Sequence, residues 1–461
     1  MIAVAAAAGW WTLGSGSGTG GIGVAAAERA PLFDGAEAID IDAIDAVVIE
    51  RGGEPSGEGE GMRLRLVREG SVWVQVEPFR AELDPFSVRQ LITQTAELEA
   101  LRVLSEASGE RAAATLTLEA SSTPSGPRRW QLICERRGVA GRALVRVGER
   151  RAVTNAALYE RVVEMDPKEW RARALFPDSL GPARAIRRVT AASGGAGADG
   201  AMATIEFLRE ANRWRVLRPV ATRADGQRMD ELLTAIARAR SDGFLFDMPS
   251  DLAPFGLQRP DARFEVDFGE PDALVTRSLL IGAPLGVGTA DRYAMIEGIP
   301  SVIRLSAGTQ SLLFPPFESL IDPMASGVRA ADVKRIEIRR VGNGVNETIE
   351  LLRALDRWTV TVGADAATGA AVPANGAAVD ALLSALTAQR APEMAFGEFP
   401  KDMEVATILL FGFDGRPLDV IRVARDSRTN RWGFENGDRT LRVHPASLRL
   451  PLSFDDFSRE G

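Results

Sequence analysis

Hydrophobic and polar residues alternate along three pairs of short segments, and a polar turn joins the two members of each pair. The first members are the segments 62–67, 203–208 and 347–352. The second members begin at Trp73, Trp214 and Trp358. Period-two alternation across a short polar connection predicts a β-hairpin with one buried face. The chain is therefore expected to contain three hairpins of one kind.

A helix is predicted after each hairpin. Asp84, Asp225 and Asn375 are of residue types that favour a helix N-cap, and Pro85 follows the first of them at the favoured first helical position. Counted from each cap, apolar residues recur in steps of three and four, which places them on one helical face. These residues are Val88, Leu91 and Ile92; Met229, Leu232, Leu233 and Ile236; and Val379, Leu382, Leu383 and Leu386. The separation along the chain between the tryptophan and the cap residue is 11 residues in the first two copies and 17 in the third.

Each copy is expected to be an α+β unit of antiparallel β-hairpins packed against its capped amphipathic helix. Each unit is predicted to begin with a strand that runs into a glycine turn, near residues 44, 183 and 333. Later strands are predicted near 112–119, 262–268 and 405–411. A period of about 140–150 residues is too long for a solenoid repeat, so each copy is better described as a domain. We predict an apolar, glycine-rich leader over 1–35 and three repeat units over 36–180, 181–328 and 329–461.

Composition narrows the plausible functions. The chain of 461 residues has a formal net charge of −8, and its basic residues are not gathered in one segment. A nucleic acid backbone would be repelled, so no nucleic-acid partner is expected. Side chains that exchange protons near neutral pH are nearly absent, because there is one histidine and one cysteine. We expect no catalytic residue, no cofactor and no metal site, although a facing pair of carboxylates would make an enzyme possible.

The single cysteine and the single histidine are both expected to be structural. Cys134 lies in an apolar strand-like run, which favours a buried thiol over a reactive one. His444 has no nucleophile beside it in the sequence, so an ordinary histidine at a strand end is expected. A zinc site built from histidines would need companions that this chain does not contain.

The N-terminus leaves two interpretations open. Residues 2–13 are apolar and include a tryptophan pair, and no charged residue precedes Glu28. This is typical of a membrane anchor or export signal, yet a spanning helix needs about 20 apolar residues and a signal peptide has a basic first region. The alternative is a glycine- and alanine-rich leader on a cytoplasmic protein.

Three other segments suggest chemistry that their context disfavours. Residues 281–291 are glycine-rich but lack the Lys-Ser/Thr ending of a phosphate-binding loop, so a hairpin connection is expected. Asp40, Asp42 and Asp45 have calcium-ligand spacing but lack the glycine and terminal glutamate of an EF-hand, so a solvated strand entry is expected. Residues 454–456 are expected to form an exposed tail.

The three tryptophans could form an aromatic binding platform. Their recurrence at one position of each unit instead favours packing of each hairpin on its helix. We therefore treat these residues as structural.

One further set of positions in the second copy carries a resemblance. After Trp214, Pro219 and Asp225 comes the run LAPFGLQRP, with Gly256, Leu257 and Pro260. In this order these residues resemble the bacterial family called domain of unknown function 4340. The first copy keeps Trp73, Pro78 and Asp84 but lacks the Gly-Leu-x-x-Pro element, and the third has a partial version over 396–400. The resemblance extends over about residues 40–455, as tandem copies.

The resemblance implies an N-terminal membrane anchor and an extracytoplasmic body, and in some members an association with ABC-type export or gliding-motility components. The repeats, the apolar leader and the lack of catalytic constellations, together with this resemblance, predict a non-catalytic interaction or scaffold protein, tethered to the cell membrane with its body on the periplasmic side and with membrane or envelope proteins as partners. The alternative is a soluble module that binds a peptide or glycan in clefts between the units.

Overall fold

The computed structural model describes residues 29–52, 61–104, 112–124, 126–191, 202–211, 213–341, 347–355, 357–363 and 371–458. The apolar run at 2–13 lies outside these ranges, so the interpretation of the leader as anchor, signal or tail falls outside the described residues. Of the helices in the described ranges, none combines the length and the apolar character needed to cross a bilayer.

The first repeat contains one large sheet, one longer helix and a small two-stranded sheet. Its elements are β1 (Ala30–Pro31), β2 (Ala46–Arg51), β3 (Met62–Glu69), β4 (Val72–Glu77), β5 (Ala81–Glu82), α1 (Pro85–Ala96), β6 (Glu99–Ala100), β7 (Arg102–Leu104), β8 (Ala114–Ala120), β9 (Arg128–Arg137), β10 (Arg142–Val147), β11 (Arg150–Asn155) and α2 (Ala157–Tyr159). A π-helical turn at Glu160–Glu164 and a 3-10 turn at Pro167–Trp170 follow α2.

The second repeat has the same succession of elements, apart from counterparts of β1 and β6. They are β12 (Ala183–Ala191), β13 (Met202–Glu210), β14 (Arg213–Arg218), β15 (Thr222–Arg223), α3 (Gly226–Arg238), β16 (Gly243–Asp247), β17 (Ala262–Phe268), β18 (Val275–Pro284), β19 (Arg292–Ile296), β20 (Ser301–Leu305) and α4 (Ala307–Leu313). Two 3-10 turns, Ala253–Phe255 and Phe317–Leu320, lie before β17 and after α4.

The third repeat follows the same plan. Its elements are β21 (Arg335–Arg340), β22 (Glu347–Ala354), β23 (Arg357–Val362), β24 (Val372–Pro373), α5 (Gly376–Thr387), β25 (Glu393–Phe396), β26 (Glu404–Phe411), β27 (Pro417–Arg425), β28 (Trp432–Glu435), β29 (Thr440–His444) and α6 (Phe454–Ser458).

Within the described residues, the strands form three nine-stranded antiparallel sheets with one common strand order. In the second sheet this order is β15-β14-β13-β12-β17-β18-β19-β20-β16. Two four-stranded meanders thus meet at the central pair β12 and β17, and the strand that follows the helix occupies the far edge. The α+β class and the hairpins predicted from the alternating segments are confirmed.

Each long helix packs on one face of its own sheet through the residues that the three- and four-residue spacing selects. Val88, Leu91 and Ile92 of α1 are buried in the first core. Met229, Leu232 and Ile236 are buried in α3, where Leu233 is half-buried at the edge of the second core. In α5 the buried set is Val379, Leu382, Leu383, Ala385 and Leu386.

The chain divides into two compact units, residues 1–172 and 173–461. The first unit contains the first sheet, and the second unit contains the second and third sheets. Each sheet lies within one of the predicted repeat ranges, because the three sheets span residues 46–155, 183–305 and 335–444.

Candidate functional site

The tryptophan of each hairpin is tied to the start of the following helix by its backbone. In each repeat the tryptophan carbonyl accepts a hydrogen bond from the residue before the helix cap. The donors are Leu83 to Trp73 at 3.0 Å, Ala224 to Trp214 at 3.2 Å and Ala374 to Trp358 at 2.9 Å. The longer connection in the third repeat therefore returns to the same hydrogen bond. This explains why the two positions recur together in the sequence.

The three cap residues each make two kinds of hydrogen bond. The side chains of Asp84, Asp225 and Asn375 accept from backbone N–H groups in the first turn of their helices, at 3.0 Å in each case. Their own backbone N–H groups donate to a later segment of the same repeat. These acceptors are the carbonyls of Trp170, Leu320 and Phe457, at 2.9, 2.8 and 2.7 Å respectively. Each cap thus joins its helix to the end of its repeat, which satisfies N–H groups left free at a helix start.

The tryptophan side chains are nearly buried. Trp73 and Trp214 are 7% exposed and Trp358 is 8% exposed. Each lies opposite an arginine in the neighbouring strand, and these pairs are Trp73 with Arg68, Trp214 with Arg209 and Trp358 with Arg353. Pro78 and Pro219, five residues after the first two tryptophans, both follow cis peptide bonds.

The Gly-Leu element of the second repeat packs a turn on the sheet face opposite α3. Gly256 has a positive φ of 67°, and a Cβ atom there would lie 2.7 Å from the backbone nitrogen of Ala283. A Cβ on Gly282 of β18 would lie 2.1 Å from the carbonyl oxygen of Phe255. Leu257 is buried against Leu280 and Val302, while Pro260 ends the turn half-buried. Both glycines are thus required by close backbone approach, and the loop after β18 is a hairpin connection to β19.

A cleft of about 880 Å³ lies in the second compact unit, where residues of the second and third repeats meet. The second repeat contributes the β13–β14 hairpin, β15 and the start of α3, and the third contributes the β28–β29 turn. Its lining includes Trp214, Arg213, Asp230 and Asp438. Among the described residues, Arg213 and Asp230 have no side-chain ion pair, so the cleft presents one available cation and one available carboxylate.

One wall of the cleft is formed by a hydrogen-bond network that joins the two repeats. We call Thr222, Asp322, Asp438 and Arg442 the junction network. Arg442 of β29 is fully buried, and its guanidinium donates to the Asp438 carboxylate at 2.8 Å and to the backbone carbonyl of Asp322 at 2.9 Å. The Thr222 hydroxyl of β15 donates to the same carboxylate at 2.5 Å. A buried charge pair with further hydrogen bonds is fixed in position, because any displacement leaves a desolvated charge unpaired.

A second arginine extends this connection. Arg223, next to Thr222, donates to the Asp322 carboxylate at 2.9 Å and to the carbonyl of Met324 at 2.6 Å. It also lies 3.8 Å from the carboxylate of Asp419 on β27. The segment between the repeats, which contains Asp322 and Met324, is therefore hydrogen-bonded to arginines of both repeats.

Electrostatics at the network favour the ionised carboxylate. Burial alone would raise the pKa of Asp438, but the hydrogen bond and charge of Arg442, with the hydroxyl of Thr222, outweigh it. The pKa of Asp438 is therefore below its ordinary value, and the group is a carboxylate at neutral pH. A carboxylate with such partners stays ionised and keeps its place in the hydrogen-bond network, so it is a poor proton donor.

The cap of α3 makes a further contact across the same junction. Asp225, whose side chain is 6% exposed, forms an ion pair with Arg390, which follows α5. Asp84 and Asn375 cap their helices without such a pair among the described residues. Asp225 therefore also joins the second repeat to the third. Its place in the sequence pattern does not predict this role.

The single histidine and single cysteine are both in cores. His444 is 2% exposed, its ring lies 5.2 Å from that of Phe434, and burial lowers its pKa. Cys134 is fully buried on β9, and burial raises the pKa of its thiol to about 12. Neither group is presented to the cleft.

The carboxylates that the sequence suggested as calcium ligands have structural partners. Asp40 accepts from the backbone N–H of Asp42 at 3.1 Å, Asp42 pairs with Arg89, and Asp45 accepts from the N–H of Ser121 at 2.8 Å. Within the described ranges, histidine, cysteine and carboxylate side chains form no group that could hold a metal ion.

The expectation at 454–456 is right about exposure, since Asp455 and Asp456 are exposed, but wrong about a tail without regular structure. These residues begin α6, and Phe457 in its last turn is fully buried in the third core. Asp456 accepts hydrogen bonds from the N–H groups of Leu452 and Ser453. The carbonyl of Phe457 receives the N–H of the Asn375 cap, so this segment completes its repeat as Leu320 does in the second.

Sequence reasoning missed the residues of the junction network. Asp438 and Arg442 lie in a polar turn and the strand after it, which alone indicate only a hairpin. Their partner Thr222 is more than 200 positions earlier in the chain, so no local pattern connects them.

The fold and these contacts define an α+β protein built from repeated sheet-and-helix units. Residues 214–409 match the model of the family described as domain of unknown function (DUF4340), which supports assigning this part of the chain to that family. This match begins at Trp214 and includes the Gly-Leu element, Trp358 and Asn375, whereas Trp73, Pro78 and Asp84 precede it. No match was found among curated proteins or among solved structures.

Proposed function

We propose that this protein is a non-catalytic interaction or scaffold component, held at the cell membrane by its N-terminal segment with its body on the extracytoplasmic side. Its partners would be proteins of an envelope or ABC-type transport assembly. The junction network is the observation that carries this proposal, because it fixes two repeats in one arrangement. A protein that positions partners needs such a fixed arrangement more than it needs reactive groups.

Two further observations support a non-catalytic role. The recurring motif positions are engaged in helix capping, hairpin packing and close backbone approach. Two of the carboxylates that line the cleft, Asp322 and Asp438, are paired with arginines. The proposed location is supported by the apolar run at 2–13 and by the family resemblance.

Location is tested with a C-terminally tagged protein in intact spheroplasts. Cleavage of the tag by added protease, together with resistance of the protein to carbonate extraction, supports an anchored extracytoplasmic body. Protection of the tag and free solubility would contradict the proposal and favour a cytoplasmic role.

The scaffold role is tested by photo-crosslinking in cells. A photoreactive residue at Val287, which is fully exposed, and a second at Leu355 are matched with one at Val189 within the second sheet. Specific crosslinks to membrane or envelope proteins from the exposed sites only would support the role. Crosslinks to none at any exposed site would contradict it.

A second candidate function is binding of a peptide or glycan in the cleft. The observation that favours it is the volume of about 880 Å³ beside Arg213 and Asp230, two side chains that form no ion pair with any residue that the structure describes. A peptide carrying both charge signs suits this lining better than an uncharged sugar chain does. Binding to peptide and glycan arrays is measured for the wild type and for Ala221→Trp, which places a bulky side chain in the cleft lining and leaves Arg213 and Asp230 unchanged.

Loss of a saturable signal in Ala221→Trp would support cleft binding. The matched control is Ala307→Trp, at the first position of α4 and outside the cleft lining, which should bind as the wild type does. A wild-type protein that binds no probe on either array would contradict this candidate.

A further inference from the structure

An arginine occupies a core position of the second sheet where the other two sheets have isoleucine. Arg188 lies on the central strand β12, opposite Ile205 and Phe264. The corresponding residue in the first sheet is Ile49, opposite Leu64 and Leu116. In the third sheet it is Ile338, opposite Ile349 and Ile408. The fold therefore does not require a charged residue at this position.

The Arg188 guanidinium is buried without a counter-charge. The residue is 6% exposed, and its Nε and Nη1 atoms are enclosed and have no hydrogen-bond partner. The guanidinium carbon lies 5.2 Å from the centre of the Phe314 ring, and this cation–π contact is the one electrostatic contact identified for it among the described residues. Arg187, the preceding residue, instead pairs with Glu265 and Glu206 on the other side of the sheet.

Burial lowers the pKa of Arg188 to about 10, which still leaves the group charged at neutral pH. An isolated buried charge is strongly unfavourable unless it is paired. Neither Phe314 nor Phe264 supplies a negative charge, and a cation–π contact offsets only part of the desolvation of a buried cation. The site thus has a donor group and a positive charge that the described residues leave unmatched.

We propose that Arg188 binds a small monovalent inorganic anion of the chloride type in the core of the second repeat. One guanidinium balances one negative charge. Three phenyl groups surround this region, since Phe264 lies 5.5 Å from Phe314 and 5.8 Å from Phe176 between ring centres. The edges of such rings carry partial positive charge and are compatible with an anion. A divalent oxyanion would lose more hydration energy and leave one charge unbalanced, so sulfate is disfavoured. This inference does not rest on the proposed function.

Thermal unfolding of the full chain in sodium chloride, bromide, gluconate and sulfate, at constant ionic strength, tests the proposal. A ligand that binds only the folded state raises its stability with concentration. For the wild type we expect Tm to rise saturably by about 3 °C in chloride or bromide relative to gluconate. Arg188→Ile should lose this increment. Arg187→Ile, which removes a cation from the same strand but from the other face, should keep it.

The bound ion itself is sought by anomalous diffraction from wild-type crystals soaked in bromide. A peak within hydrogen-bond distance of the Arg188 guanidinium would support the site even if Arg188→Ile failed to fold. A wild-type Tm that does not distinguish chloride from gluconate, together with no bromide peak at Arg188, would overturn the proposal. Water would then be the partner of the buried guanidinium.

Discussion

The hydroxyl of Thr222 donates a hydrogen bond of 2.5 Å to the carboxylate of Asp438, although the two residues are 216 positions apart in the chain. Thr222 belongs to the edge strand β15 of the second sheet, and Asp438 to the turn between β28 and β29 of the third. The buried guanidinium of Arg442 and the backbone N–H of Thr440 also donate to this carboxylate. The stability of the second compact unit should therefore depend on these three side chains as a group.

Arg442→Leu should destabilise the second unit strongly. Removing the guanidinium leaves the partly buried Asp438 carboxylate without a counter-charge, with only the Thr222 hydroxyl and the backbone N–H of Thr440 as donors, and breaking a buried ion pair from one side costs about 3–5 kcal/mol. Thr222→Val removes the hydrogen bond to Asp438 and a long one, at 3.4 Å, from Arg442, but no charge, and should cost about 1 kcal/mol. Urea unfolding of the three proteins measures both losses. Equal losses in the two variants would contradict a network centred on the Arg442 charge.

Acid should weaken the same contacts. The pKa of Asp438 is lowered in the folded protein, so its stabilising contribution is present above the ordinary aspartate pKa of about 4 and is lost as pH falls through the folded value. Tm is measured from pH 6 to pH 2 for the wild type and Asp438→Asn. The variant should be less stable at pH 6, and the two curves should approach each other in acid. Curves that stay parallel down to pH 2 would show that Asp438 does not titrate as argued.

The cap at Asp225 should matter more than the cap at Asn375. Replacing an N-cap residue with alanine costs about 1 kcal/mol, and Asn375→Ala should cost about that. Asp225→Ala also leaves Arg390 without its partner, so a larger loss is expected. A double-mutant cycle with Arg390→Ala isolates the extra term, since coupling between contacting residues appears as non-additivity. Additive losses would show that the ion pair contributes nothing to stability.

Gly282→Ala should destabilise the second repeat. The added methyl group would lie 2.1 Å from the carbonyl oxygen of Phe255, and the turn that carries the Gly-Leu element would have to move. Overpacking of this kind costs about 1–3 kcal/mol. Gly286→Ala is the matched control, because the nearest atom to its new methyl group is 3.9 Å away. Equal Tm values for the two variants would refute the close-approach argument.

Trp214→Ala tests whether the recurring tryptophan is structural. Truncating a buried tryptophan costs about 3–5 kcal/mol, and Trp73→Ala and Trp358→Ala should behave similarly in their own repeats. Calorimetric melting of the three variants provides the comparison. If Trp214→Ala melted like the wild type but lost binding to the arrays, the residue would belong to a ligand site.

The repeated elements could be read from the sequence because local chemistry specifies them. The spacing of Val379, Leu382 and Leu386 predicts a helix buried on one face, and the structure has it. The segment 454–456 was misread as a tail, although its acidic residues are exposed as expected. Phe457, the next residue, anchors the segment: its side chain is buried in the third core and its carbonyl receives the N–H of a residue far away in the sequence.

The sequence by itself determined the α+β class, the hairpins, the helices and the positions of their caps, since these depend on residues a few positions apart. The tertiary structure alone decided which side chains meet between repeats. Thr222 and Asp438 lie in separate repeats, and only the folding of both sheets brings them together. The same holds for Arg188, whose pattern on β12 is that of an ordinary strand residue. Its unpaired charge becomes visible only when the surrounding phenyl rings are in place.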